Sequence, residues 1–171
     1  SSCHSDTGFV PRAHFVRDIG DGVILGHLDN LLGVFALSKA LFSGRLSQDW
    51  IRVEFTYGEE TDMAGAREVA RSLDPKDVVI VLDVTGTVSE SDICVEKCAH
   101  PQLESWIRDS LAGLPFALFP NCPDLVASQD ESDVYRKFVE RCCFIGPRVW
   151  GGDYNDGPVK TSRRIIDTTV E

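Results

Sequence analysis

Apolar and polar positions follow two periods along this chain, and the places where one gives way to the other mark its elements. Ile51-Arg52-Val53-Glu54-Phe55-Thr56 alternates every second residue, which predicts a strand over 51–57. Val78-Val79-Ile80-Val81-Leu82 is a continuous, largely β-branched run ending at Asp83, the pattern of a central strand buried on both faces. Between and around these the spacing becomes helical. Leu31, Val34, Phe35, Ser38, Leu41 and Phe42 recur behind Asp29-Asn30, either of which can serve as N-cap, and Gly44 closes the segment. Met63, Ala66, Val69, Ala70 and Leu73 predict a second helix over 62–73, stopped by Asp74-Pro75.

The remaining segments are shorter. Two β-like pieces, 13–17 and 22–25, flank Asp18, Gly20 and Asp21 and read as a hairpin. Strands are predicted over 93–95, 116–119 and 143–145, and helices over 103–111 and 132–139. A loop rich in glycine and aspartate, 147–158, leads to a last run, 163–167, read as ending at Asp167 in the manner of a strand. Strands alternating with helices predict an α/β three-layer sandwich, a mixed and mostly parallel sheet with helices on both faces. The 171 residues contain no repeat or linker and fit a single domain, 1–171, able to bury roughly 70% of its unfolded surface.

Composition narrows the functional classes. With 43% hydrophobic and 26% charged residues the chain reads as globular, and a net charge of -10 without a basic stripe argues against nucleic acid or an anionic membrane as partner. No apolar run approaches the ~20 residues of a membrane helix and no signal peptide opens the sequence, so a cytoplasmic location is expected. The six cysteines, Cys3, Cys94, Cys98, Cys122, Cys142 and Cys143, lack zinc-cluster spacing and are expected to be free thiols.

The candidate chemistry lies at strand ends. Tyr57-Gly58-Glu59-Glu60-Thr61 places two carboxylates side by side directly after a strand, with no cluster of Lys or Arg to neutralise them. His4-Ser5-Asp6, Asp83 and Asp167 occupy comparable positions, and Asp29 opens a helix. In open α/β sheets, ligands collect where strand carboxyl ends converge. A histidine nitrogen with several carboxylate oxygens makes a mixed site for one or two divalent ions, Asp29 being suited to bridge two. If Glu60 ligates, Glu59 is left free as general base, and Asp6 is placed to orient the His4 ring without ligating.

Order and spacing resemble the co-catalytic zinc aminopeptidases, specifically the glutamyl and tetrahedral aminopeptidase group of the zinc exopeptidases. The resemblance is carried by 26–34 (Gly-His-Leu-Asp-Asn-Leu-Leu-Gly-Val), similar to the bridging-aspartate segment, by 55–66 (Phe-Thr-Tyr-Gly-Glu-Glu-Thr-Asp-Met-Ala-Gly-Ala), similar to the Glu-Glu segment, and by 81–85 (Val-Leu-Asp-Val-Thr). It implies a phosphorylase/hydrolase-like sheet holding two ions, one on His4, Asp29 and Asp83, the other on Asp29, Glu60 and a last residue near the C-terminus, with Glu59 as base. It also implies zinc as the ion, a peptide or small amide as substrate, and oligomerisation as possible. The segment 128–133 weakly resembles an aspartate loop near that family's site.

Departures from the family pattern are specific. Asp167 stands where the family has its last histidine ligand, which favours manganese, cobalt or magnesium over zinc at the second position. Only 22 residues separate Asp6 from Asp29, leaving no room for the family's inserted dimerisation domain. His27-Leu28-Asp29 is a second His-x-Asp, which would push the bridging role to Asp49; His4 is preferred, with His27 structural and His14 and His100 on the surface. Two functional readings follow: a metal-dependent exopeptidase or related amide hydrolase, and a non-catalytic relative acting as a binding or assembly module.

Overall fold

The central feature of the fold is a six-stranded sheet in which the β-branched run near the centre of the sequence is one of the two inner strands. A computed structural model describes residues 1–6, 15–87, 89–123, 129–154 and 157–171. In chain order the elements are β1 (Ser2–His4), β2 (Val16–Gly20), β3 (Val23–Gly26), α1 (Leu31–Phe42), β4 (Glu54–Thr56), α2 (Ala64–Ala70), β5 (Val78–Leu82), β6 (Ile93–Glu96), α3 (Pro101–Ser110), β7 (Phe116–Leu118), α4 (Ser132–Tyr135), β8 (Arg141–Pro147), β9 (Val159–Ser162) and α5 (Arg163–Val170). The large sheet has the order β4-β1-β5-β8-β6-β7, and β2-β3-β9 form a separate three-stranded sheet. Every pairing in the large sheet is parallel except β6 with β8.

Both faces of this sheet are covered, as the unbroken apolar run of β5 predicts. Val79 and Val81 pack with Cys142 and Phe144 of β8 against Ala66 and Ala70 of α2 and Val134 and Tyr135 of α4. Their alternates face the other way. Leu82 and Cys3 pack with Ala36 and Leu37 of α1 and Val170 of α5, while Cys143 and Val95 pack with Leu103 and Ile107 of α3. The α/β three-layer arrangement is therefore present, with a period of two in each strand deciding which helices it meets.

The hairpin expected over 13–25 is β2-β3, paired antiparallel; Ala13 and His14 lie outside the described residues. The strand expected over 51–57 shortens to β4, and the helix expected over 62–73 shortens to α2. Its start is delayed because Gly58 and Met63 adopt φ of 75° and 55°, folding 58–63 into a turn before the helix begins. Cys3, Cys94, Cys98, Cys142 and Cys143 are free and buried. Among the described residues no helix is long and apolar enough to cross a membrane.

The largest correction concerns the C-terminal segment. The run 163–167 is not a strand end: β9 precedes it, and Ser162 caps a helix by accepting from Ile165 N at 3.1 Å. Ile165, Thr168 and Val170 form the buried face of α5, and Thr168 and Thr169 return their hydroxyls to the carbonyls four residues back. Asp167 lies on the opposite, exposed side of this helix.

Candidate metal centre

Three strands deliver side chains to the carboxyl-end rim of the large sheet. His4 is the last residue of β1, Asp83 follows the last residue of β5, and Glu59 and Glu60 follow β4 by a short turn. Asp29 joins them from the segment between β3 and α1. The registers explain the convergence: β1 lies between β4 and β5, with His4 opposite Thr56 and Ser2 opposite Val81.

His4, Asp29 and Asp83 are all buried, at 1%, 7% and 8% exposure. His4 Nε2 lies 3.1 Å from Asp29 Oδ1 and 3.0 Å from Asp83 Oδ2. One ring nitrogen carries one hydrogen and cannot serve both; Asp83 takes the hydrogen bond and Asp29 Oδ1 is left buried without a partner. An orphaned carboxylate oxygen in such a place is costly in a protein interior. One ligand atom from each of the three residues falls within 4.8 Å of the others, and His4, Glu59 and Glu60 form a second such group. The donor set of one imidazole nitrogen and carboxylate oxygens fits zinc, and equally cobalt or manganese.

The other ring nitrogen is held in place. His4 Nδ1 lies 3.2 Å from the Asp6 carbonyl oxygen and 3.5 Å from Asp6 Oδ1, so its hydrogen faces Asp6 and Nε2 faces the carboxylates. Asp6 also accepts from Glu59 N at 3.4 Å, coupling the His-x-Asp segment to the paired glutamates. The turn that carries the glutamates is fixed by glycine at two positions. Gly58 needs its positive φ, and Gly65 lets α2 approach so closely that an added Cβ would lie 2.5 Å from Tyr57 N and 2.8 Å from Tyr57 O. Gly65→Ala gains about 0.5–1 kcal/mol of helix propensity but forces a backbone contact costing about 1–3 kcal/mol. The steric effect is expected to win, lowering the thermal midpoint by several degrees in a calorimetric comparison with the parent chain.

Electrostatics follow from this crowding. Burial alone would depress the His4 imidazolium, but the Asp83 and Asp29 carboxylates outweigh it and push His4 up to about 12. Asp83 is held well above the usual carboxylate range, first by burial and then by Asp29. Glu59 is raised to about 7, mainly by burial, with His4 opposing and Glu60 and Asp29 adding to the rise.

Asp167 is not brought to either group of ligand atoms, because α5 turns it to solvent. His27 likewise stands apart, half-buried and edge-on to the Phe15 ring at 5.3 Å between centroids. His100 is half-buried before α3. Of the segment 128–133, Ser128 lies outside the described residues, whereas Glu131 lies in the core beneath the site at 1% exposure. Glu131 Oε2 accepts from Ser2 Oγ at 3.0 Å, Ser2 Oγ is 2.8 Å from the Tyr135 hydroxyl, and burial raises the Glu131 carboxyl. This carboxyl is absent from the strand-end motifs; its signal is an acidic residue at the start of a short helix, indistinguishable in sequence from a surface acid.

No protein-family model and no curated protein matches this sequence. Solved structures do match in fold. The dodecameric structure PhTET1-12s gives a TM-score of 0.72 at 12% identity over 92% of this chain and 51% of that one. The TET aminopeptidase of a marine-sediment archaeon, Thaumarchaeota archaeon SCGC AB-539-E09, gives 0.69 at 16% identity over 92% and 49%. The aminopeptidase APDkam598 of the archaeon Desulfurococcus kamchatkensis gives 0.67 at 16% identity, again over 92% and 49%. The chain therefore has the fold of these solved structures and spans about half the length of each.

Proposed function

We propose that this chain is a metal-dependent amide hydrolase of the aminopeptidase type. The observation that carries the reading is the buried convergence of His4, Asp29 and Asp83, with an unpartnered Asp29 oxygen, beside the Glu59-Glu60 pair. The shared fold with aminopeptidases supports it.

His4 Nε2, Asp29 and Asp83 would hold a divalent ion, with Glu60 as a further ligand. Bound there, the ion supplies Lewis-acid polarisation of a carbonyl and eases deprotonation of water. Glu59 then accepts the proton of the attacking water and returns it to the departing amine. Its carboxyl, raised to about 7 by burial in the metal-free site, falls as a cation arrives, so it is ionised and ready at neutral pH. Asp6 fixes the His4 ring so that Nε2 points at the carboxylates. A second ion would have Asp29 and Glu60 as its protein ligands. Such a site is all oxygen, suiting a hydrated manganese or magnesium ion.

Metal analysis of protein purified without chelator, together with hydrolysis of aminoacyl p-nitroanilides, tests the reading. One firmly held ion per chain and metal-dependent turnover are expected. Failure to take up zinc, manganese or cobalt would sink it and leave the binding-module reading.

The pH dependence of metal uptake has a definite sign. In the stripped protein His4 is protonated up to about 12, and an ion must displace that proton. Affinity therefore rises with pH, by about tenfold per unit for each proton released. Calorimetric titrations in buffers of different ionisation enthalpy should show at least about one proton released per ion; uptake without proton release would contradict the assignment of Nε2.

A further inference from the structure

The Asn30 side chain is almost wholly buried, at 1% exposure, and every polar group on it is used. Its Nδ2 donates to the Leu82 carbonyl at 2.8 Å and to Cys3 Sγ at 3.3 Å, and its Oδ1 accepts from Gly33 N at 3.0 Å, capping α1. Leu82 precedes Asp83, Cys3 precedes His4, and Asn30 itself follows Asp29. The Cys3 thiol in turn donates to the His4 carbonyl at 3.4 Å. One planar amide, on the residue after Asp29, thus holds the carbonyl of the residue before Asp83 and the thiol of the residue before His4.

We infer that Asn30 is the positioning residue of the metal centre, setting the mutual spacing of His4, Asp29 and Asp83; this rests on the metal-binding reading above. The side-chain chemistry requires asparagine. Two donors and one acceptor are needed within one short, flat group; aspartate lacks the donors, serine has one donor and shorter reach, and glutamine carries an extra methylene.

Gly33 gives an independent indication. A Cβ there would lie 2.3 Å from Asn30 Oδ1 and 2.9 Å from both Cγ and Nδ2. Glycine inside the first turn of a helix costs about 1 kcal/mol relative to alanine. The chain accepts that cost where it leaves room for this amide. A helix-stabilising role and a positioning role therefore give different outcomes for Gly33→Ala: the first predicts only a change in stability, the second a loss of metal affinity.

Metal-stripped parent, Asn30→Ser and Gly33→Ala chains are titrated with cobalt by chelator competition, with circular-dichroism melts run alongside. Serine keeps the cap, so α1 should persist. Cobalt affinity should fall about 10–100-fold in both variants, the usual effect of disturbing a group that orients ligands. In the same stripped proteins at pH 7, the His4 Nε2 proton should give a protected, hydrogen-bonded imidazole NMR signal in the parent and lose it in the variants. Parent-like cobalt affinity and a retained His4 signal in both would overturn the inference. Should the parent take up no cobalt, the metal reading fails by itself; loss of the His4 signal in the variants would still support the role of Asn30, and its retention would overturn it. If Asn30→Ser does not fold, Gly33→Ala carries the test.

Discussion

Asp29→Asn is expected to abolish stoichiometric metal binding while leaving the chain folded. The substitution preserves shape but removes the charge of the ligand whose Oδ1 is buried without a hydrogen-bond partner. Disturbing an orienting group costs about 10–100-fold in affinity, and loss of a direct ligand should exceed the upper end of that range.

Stability should change little. In the parent protein, Asp29 repels Asp83 and helps hold it above the ordinary carboxylate range, so neutralising Asp29 relieves a buried like-charge pair. It also withdraws one of the two carboxylates that keep His4 protonated. These effects oppose each other inside one small group. Chelator competition and elemental analysis measure the metal, and a calorimetric melt measures the fold. An Asp29→Asn chain that still holds one ion would remove Asp29 from the centre.

The sequence makes the sheet-end residues legible because two different periods end at them. β5 is recognisable from its unbroken β-branched run, and α1 from a helical spacing with Asn30 as one of two candidate caps. Asp29, Glu59, Glu60 and Asp83 follow from those boundaries and His4 from its His-x-Asp motif; His4 is brought together with Asp29 and Asp83 and, in a second group, with Glu59 and Glu60. The C-terminal segment was harder for a physical reason. Ile165-Ile166 is β-branched and favours a strand locally, whereas the helix depends on tertiary contacts that spacing alone does not reveal. Those contacts are Ile165 in the core, the Ser162 cap, and Arg164 Nη2 on the buried Asp92 Oδ1 at 2.6 Å. Once 163–170 is helical, Asp167 rotates to solvent.

The supporting residues were hidden for another reason. Asn30 and Glu131 lie on opposite faces of the sheet, and each touches β1 one or two residues before His4. Nothing in a linear pattern separates a polar residue that braces a site from one that faces water. Only the register, with β1 lodged between β4 and β5, brings them beneath the centre.

Glu59→Gln is expected to separate chemistry from binding. Glutamine is nearly isosteric and the Glu59 backbone hydrogen bond to Asp6 is untouched, so the turn should keep its shape. His4, Asp29 and Asp83 are unaltered, and the ion should bind within a few-fold of the parent affinity. Without a carboxylate to take the water proton, turnover should fall by about 10²–10⁴-fold, the range for loss of a general base. A stability signature accompanies this. Burial raises Glu59 from an ordinary value of 4.5 to about 7, so in the metal-free parent its ionisation is disfavoured by folding. That contribution falls as pH rises from the lower value through the higher one. Glutamine does not titrate. Relative to the parent, the metal-free variant should therefore be more stable at pH 8 than at pH 5. Steady-state rates with aminoacyl amides, metal content, and melts at the two pH values provide the three readings. A variant that loses its ion together with its activity would reassign Glu59 from base to ligand.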